Sequence, residues 1–291
     1  MTGESVKCGS VYCAWGGEGV VGKATFEEGQ VRHFGSHRNL ENYRDLIFVL
    51  LQRELKVRYK NKLLGYVWSI ANPMATALVY FVAFGLILRV QEANYPLFLV
   101  AGLFPWQWLA NSINSSPNLF VGSGSVIKKV NFPRNIVPLC AILNHMIHFL
   151  ASVPIIVLLL LLFGESPSWS WFYGFPILLV IQFTMAYGVA LGLSAINLFF
   201  RDLERLVSIV MNFLFFLTPV LYTIERYPVE YRTLLVAINP AAGLMVNWRQ
   251  LILEGTMSPL YLLISAIYAV IFFLIGYAIY RKLSWKFAEL I

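Results

Sequence analysis

Residues 53–74, RELKVRYKNKLLGYVWSIANPM, constrain this chain more than any other stretch. Arg53, Lys56, Arg58, Lys60 and Lys62, with Arg44 upstream, crowd the entry to a run, residues 65–88, that carries no charge. At about 1.5 Å per residue, a helix of that length crosses a hydrocarbon core of about 30 Å. Cationic residues at one end hold that end on the cytoplasmic side. One segment therefore predicts both a membrane span and its direction.

The composition extends this reading to the whole chain. Of 291 residues, 58% are hydrophobic and 13% charged, about half the charge of an ordinary soluble domain. So much apolar surface cannot be hidden from water, which predicts an all-α polytopic membrane protein. The net charge of +7 follows loops rather than forming a patch, which argues against nucleic acid. Lys and Arg number ten through Lys62, three at residues 128–134, two at 201 and 205, and three at the C-terminus, against Arg89, Arg226, Arg232 and Arg249 on the other side. That asymmetry predicts two cytoplasmic termini.

Residues 1–38 are glycine-rich and polar and are expected to form a poorly ordered cytoplasmic extension. Their GEGVVGKAT segment imitates a phosphate-binding loop, but Ala24 stands where a magnesium-binding hydroxyl is needed and no nucleotide domain surrounds it. Residues 39–62 read as an amphipathic interface helix, with Tyr43, Leu46, Ile47, Leu50 and Leu51 at helical spacing. Residues 63–291 form a transmembrane domain with six expected spans, near 65–88, 95–116, 136–163, 172–199, 206–222 and 259–280. Residues 233–248 are apolar but too short to span, and Asn239-Pro240 and Gly243 interrupt them. They predict a re-entrant helical hairpin between the fifth and sixth spans, a fitting outer lining for a path through the membrane.

The spans contain no Asp or Glu, and the chain's two Asp residues, Asp45 and Asp202, sit at cytoplasmic ends. This disfavours ion-coupled transport and disfavours an enzyme needing carboxylates for metal or base chemistry. His145 and His148 share a helix face but lack the further ligands of a metal site, so packing is the expected role. Cys8, Cys13 and Cys140 likewise lack partners for a metal site. Trp106, Trp108, Tyr222, Tyr227, Tyr231 and Trp248 read as an aromatic belt at the outer interface. Trp68, Tyr80, Phe81 and Phe84 lie deeper and are candidates for a channel wall.

Three segments carry a family resemblance: ELKVRYKNKLLGYVWSIANPM at 54–74, VIKKVNFPRNIVPL at 126–139, and LTPVLYTIERYP through INPAAGL at 217–244. With them, residues 42–291 resemble the permease subunit of ABC-2-type ABC transporters that export bacterial cell-surface polysaccharides. The resemblance implies a homodimer in the bacterial inner membrane, joined to two separate ABC ATPase subunits that bind ATP and Mg, with no cofactor in this chain. It implies a lipid-linked glycan as substrate, O-antigen first, with teichoic acid, capsule, or small lipids and drugs as alternatives. Val126, Ile127, Lys128, Lys129, Val130, Asn131, Phe132, Pro133 and Arg134 would then be the ATPase-coupling segment, assisted by Arg201, Asp202 and Arg205. Arg53, Lys56, Arg58 and Lys60 would meet the lipid phosphate at substrate entry. Tyr222, Tyr227, Asn239 and Pro240 would form the outer gate, and the aromatic wall would let sugar rings slide past. Asn72-Pro73 is expected to bend the first span.

Overall fold

The computed structural model describes residues 65–89, 94–124 and 132–287 and the isolated positions 47, 48 and 51, with residues 65–70 described by backbone alone. Every regular element among them is helical. Helix α1, Gly65–Tyr80, passes directly into a π-helical stretch, Phe81–Ile87. Then come α2, Tyr95–Ser115, a 3-10 turn at Ser116–Asn118, and the short α3, Leu119–Gly122. Helices α4, Ile136–Leu162, and α5, Trp171–Asn197, are followed by α6, Leu203–Leu217. A short pair, α7, Val229–Ile238, and α8, Ala242–Glu254, precedes α9, Pro259–Leu283.

Among the described residues three segments, Ile136–Leu162, Trp171–Asn197 and Pro259–Lys286, are long and apolar enough to cross a membrane. Elsewhere the boundaries follow local chemistry. Pro73 lies inside α1 without ending it, and Thr76 Oγ1 donates to the Asn72 carbonyl at 2.9 Å. The departure from α geometry comes instead at Phe81–Ile87. The fifth apolar run was expected to reach residue 222, but α6 stops at Leu217. Thr218 is extended, with φ −87° and ψ 137°, because the ring of Pro219 disfavours helical backbone in the residue before it. With 15 residues, α6 is about 22 Å long.

The closest helix pairing is α5 on α9. A Cβ added at Gly276 would lie 1.8 Å from the Gly188 carbonyl oxygen, and one at Gly188 would lie 2.4 Å from the Phe273 Cα. Only hydrogen fits at either position, so the two backbones touch, as small residues allow inside membranes. Amide side chains tie α5 to α2 and its continuation. Gln182 Nε2 donates to the Pro105 carbonyl and Asn197 Nδ2 to the Pro117 carbonyl, both at 2.9 Å.

The central element is α8, with Leu244, Met245, Trp248 and Leu251 fully enclosed. Its base lies beside the start of α5, where Trp171 Nε1 donates to the Leu251 carbonyl at 2.9 Å. The turn between α7 and α8 lies deeper. Gly243 packs against Ser265, and Tyr268 donates to the Ala237 carbonyl. These partners stand on the order of 10 Å along α9 from its start at Pro259.

Candidate functional site

The chain between α6 and α7 is irregular, so its carbonyls need partners from elsewhere. Arg249 supplies two of them, donating from Nη2 to the Val220 carbonyl at 2.6 Å and from Nη1 to the Tyr222 carbonyl at 3.1 Å. Tyr95 Oη donates to the carbonyl between them, that of Leu221, at 3.2 Å. The guanidinium carbon also lies 3.7 Å from the Phe98 ring centroid. Gly102 leaves the necessary room, since a Cβ there would lie 2.6 Å from Arg249 Nη2. One cation thus fastens α8 to the end of α6 and the start of α2.

The Asn239-Pro240 break forms a second fastening. Asn239 Nδ2 donates to Thr218 Oγ1 at 3.0 Å, and its Oδ1 accepts from the Ala241 amide at 3.0 Å. Its side chain therefore anchors the end of α6 and closes the turn that leads into α8. Tyr227 donates to the Tyr222 hydroxyl at 3.3 Å, and Tyr222 donates to the carbonyls of Phe216 and Leu217. Tyr222, Tyr227 and Asn239 thus fall on one connected structure, with Pro240 in its turn.

Sequence reasoning counted Arg249 among loop charges. It is instead a buried helical residue, and the partners that reveal it, Phe98, Gly102 and Val220, are distant in sequence. The aromatic belt also needs correction. Trp106, Trp108 and Trp248 are buried, because each has aromatic neighbours inside the bundle: Trp108 stacks on Phe149 at 5.3 Å, Trp248 meets Phe149 and Phe175 edge-on, and Trp106 meets Phe215. Trp248 also donates to Gln182 Oε1 at 2.7 Å. Tyr231 is exposed, and an exposed aromatic group that the sequence reading passed over stands at the α4–α5 connection: Trp169, Phe172 and Tyr173.

Of the wall candidates, Tyr80, Phe81 and Phe84 are partly buried against the core. Tyr80 lies 5.3 Å from Phe215 and 6.1 Å from Phe84. The Trp68 side chain lies outside the described residues. So do Arg53, Lys56, Arg58 and Lys60, the extension at 1–38, and most of the helix expected over 39–62, of which positions 47, 48 and 51 are helical.

From the coupling segment, Val126, Ile127, Lys128, Lys129, Val130 and Asn131 also fall outside, whereas Phe132, Pro133 and Arg134 are described. Arg134 Nη1 donates to the Ser284 carbonyl at 3.0 Å, and its guanidinium sits 5.7 Å over the Phe287 ring. Phe287 is enclosed against Phe120 and Tyr280. The segment's end is therefore fastened to the C-terminal turn at Ser284–Lys286. Arg201, Asp202 and Arg205 are exposed at the start of α6.

A cavity of about 110 Å³ opens between α1, α2 and α4. Asn72 and Pro73 come to it from α1, Gln107, Trp108 and Asn111 from α2, and His145, His148 and Ser152 from α4. His145 Nε2 and Ser115 Oγ are 3.1 Å apart. Among the described residues no group of three His, Cys, Asp or Glu is placed to hold a metal. A second cavity, of about 350 Å³ and wholly apolar, lies between α2, α5, α6 and α9, bounded by Trp106, Met185, Met211 and Phe272.

Known proteins resemble this chain in sequence. The chain is 40% identical to the O-antigen export system permease protein RfbA of Klebsiella pneumoniae over 87% of its own length and 97% of that relative. It is 34% identical to the same-named protein of Myxococcus xanthus, over 75% and 84% of the two chains. It is 24% identical to the polysialic acid transport protein KpsM of Escherichia coli, over 80% and 91%. The sequence pattern of the family described as ABC-2 type transporter matches residues 45–253, taking in the α8 helix with its buried Arg249, and the chain belongs to that family.

Proposed function

We propose that this chain is the membrane permease of an ATP-driven exporter that moves a lipid-linked cell-surface polysaccharide, O-antigen in the first instance, across the bacterial cytoplasmic membrane. The observation that carries the reading is the 40% identity running along 97% of an O-antigen export permease. In this reading α1, α2, α4, α5, α6 and α9 are the six spans, both termini are cytoplasmic, and residues 39–62 lie in the inner interface. The depth of the α7–α8 turn beside Ser265 and Tyr268 supports a re-entrant hairpin on the outer side.

Two copies pair with two ATPase subunits, which bind ATP and Mg and do the hydrolysis. The exposed apolar faces of α6, at Leu206, Ile209, Phe213 and Phe216, and of α1, at Leu78 and Val79, support pairing through these helices. Closure of the ATPases would press on residues 126–134 and on Arg201, Asp202 and Arg205. Arg134 would pass that displacement to the C-terminal turn, and the paired α1 and α6 helices would part. Arg53, Lys56, Arg58 and Lys60 would hold the lipid pyrophosphate at entry, and the polymer would pass Trp68, Tyr80, Phe81 and Phe84 before the fastenings around Arg249 and Asn239 release.

The wholly apolar cavity of about 350 Å³ favours a second reading, export of a small lipid or drug. Deletion of the chain separates the two. Loss of surface polymer, restored by the wild-type chain and accompanied by intracellular lipid-linked glycan, supports the polysaccharide. Normal surface polymer in the deletion strain rules it out. Glu at both Lys128 and Lys129 should cut export and uncouple the copurified ATPase; unchanged export would remove the coupling assignment.

A further inference from the structure

We infer that the cavity between α1, α2 and α4 is a hydrated bay that takes the hydroxyl edge of a passing neutral sugar, a contact point for the polymer in the middle of the path. This deepens the polysaccharide reading and rests on it. Two observations carry it. First, Asn72 and Asn111, at the cavity's rim, are exposed on the chain, as is Asn114 one turn further along α2. An amide facing hydrocarbon loses its hydrogen bonds, so polar side chains within spans turn toward protein or water. Asn72 stands about 10 Å along α1 from Gly65, and Asn111 about one turn before the end of α2 at Ser115. Asn72 is thus well inside its helix, and a face presenting it is not a lipid face.

Second, the lining suits hydroxyls and little else. Gln107 and Asn111 each offer donors and an acceptor. Among the described residues no carboxylate and no Lys or Arg lines it, so none of them supplies a counter-charge for a cation or a phosphate. The volume of about 110 Å³ holds several waters or one edge of a pyranose, not a whole ring. A sugar held by one edge is released easily, as processive movement requires.

The test uses the full chain with its ATPase, with Cys8, Cys13 and Cys140 replaced by Ser and one cysteine introduced as N111C or, should that variant fail to export, N72C. Sonicated membrane vesicles are treated with a hydrophilic maleimide. L158C, on the exposed apolar face of α4, is the control and should stay unlabelled. N111C should label readily in membranes from cells that make no polymer. With polymer in transit and the ATPase stopped by vanadate, a half-occupied bay should slow labelling about twofold, and adding Gln107→Leu should remove that protection. Labelling indifferent to polymer overturns the inference, because the bay then holds only water. No labelling overturns it as well, because a second copy or lipid then covers the face. If the wild-type chain fails to restore surface polymer to a deletion strain, the exporter reading fails instead, so the two failures are distinct.

Discussion

Arg249→Met offers the sharpest test of the fold's energetics, since methionine keeps much of the length and loses every polar contact. Two hydrogen bonds from the guanidinium disappear, to Val220 and Tyr222, each charge-assisted and worth about 1.5–3 kcal/mol. The contact with Phe98 at 3.7 Å adds about 2 kcal/mol in a desolvated site. Against these losses stands the cost of burying the cation, several kcal/mol before its partners offset it. The net expectation is destabilisation of about 2–4 kcal/mol. In a chain of this size, each 1 kcal/mol moves the melting temperature by about 2–4 °C. The purified complex should therefore melt roughly 5–15 °C lower in detergent, read by loss of the monodisperse peak on heating. Arg249→Lys should recover little, because one ammonium cannot reach two carbonyls along a fixed fork. Gly102→Ala should reproduce part of the loss by pressing on Nη2 from the other side. A methionine variant melting within about 2 °C of the wild type, under 1 kcal/mol of change, would refute the reasoning.

Alanine at Gly276, aimed at the Gly188 carbonyl, should cost at least about 1–3 kcal/mol by overpacking, seen as a lower yield of folded chain in membranes. Trp248→Phe leaves Gln182 Oε1 without its donor and should cost about 1–3 kcal/mol. The double change with Gln182→Leu should cost less than the sum, and strict additivity in thermal melts would contradict the contact. Arg134→Ala removes the tie to Ser284 and Phe287. It should lower polymer export severalfold while the ATPase still copurifies, and wild-type export would show that the tie transmits nothing. Asn239→Ala removes the bonds to Thr218 Oγ1 and to the Ala241 amide together and should cost about 1–2 kcal/mol, as the loss of two neutral hydrogen bonds does, measured as a lower melting temperature.

The long apolar runs were legible because hydrophobic length is a local property. Expected ends near 136, 163, 259 and 280 lie within a few residues of α4 and α9. The break at Asn239-Pro240 was legible for the same reason, since proline chemistry needs no partner. The early end of α6 was available from Thr218-Pro219 and was masked by the apolar residues that follow. What escaped is non-local. Nothing near Trp248 tells a belt residue from a core residue; the difference lies in Gln182, Phe149 and Phe175, on two other helices. Arg249 reads as a loop charge until Gly102 and Phe98 are seen to make its socket. The polar bay was visible only as an odd histidine pair, because its other walls come from α1 and α2.

The backbone contact of α5 on α9 limits how such a protein can move. Two helices touching at Gly188 and Gly276, with Phe273 behind, cannot ratchet past each other without lifting apart, since any side chain entering that gap collides with main chain. Packed cores of this kind switch between arrangements as blocks rather than deforming continuously. Together α5 and α9 make a stator. Whatever stroke the machine performs has to be taken up by the elements outside it, and chiefly by α1, whose π-helical stretch at Phe81–Ile87 already departs from regular winding.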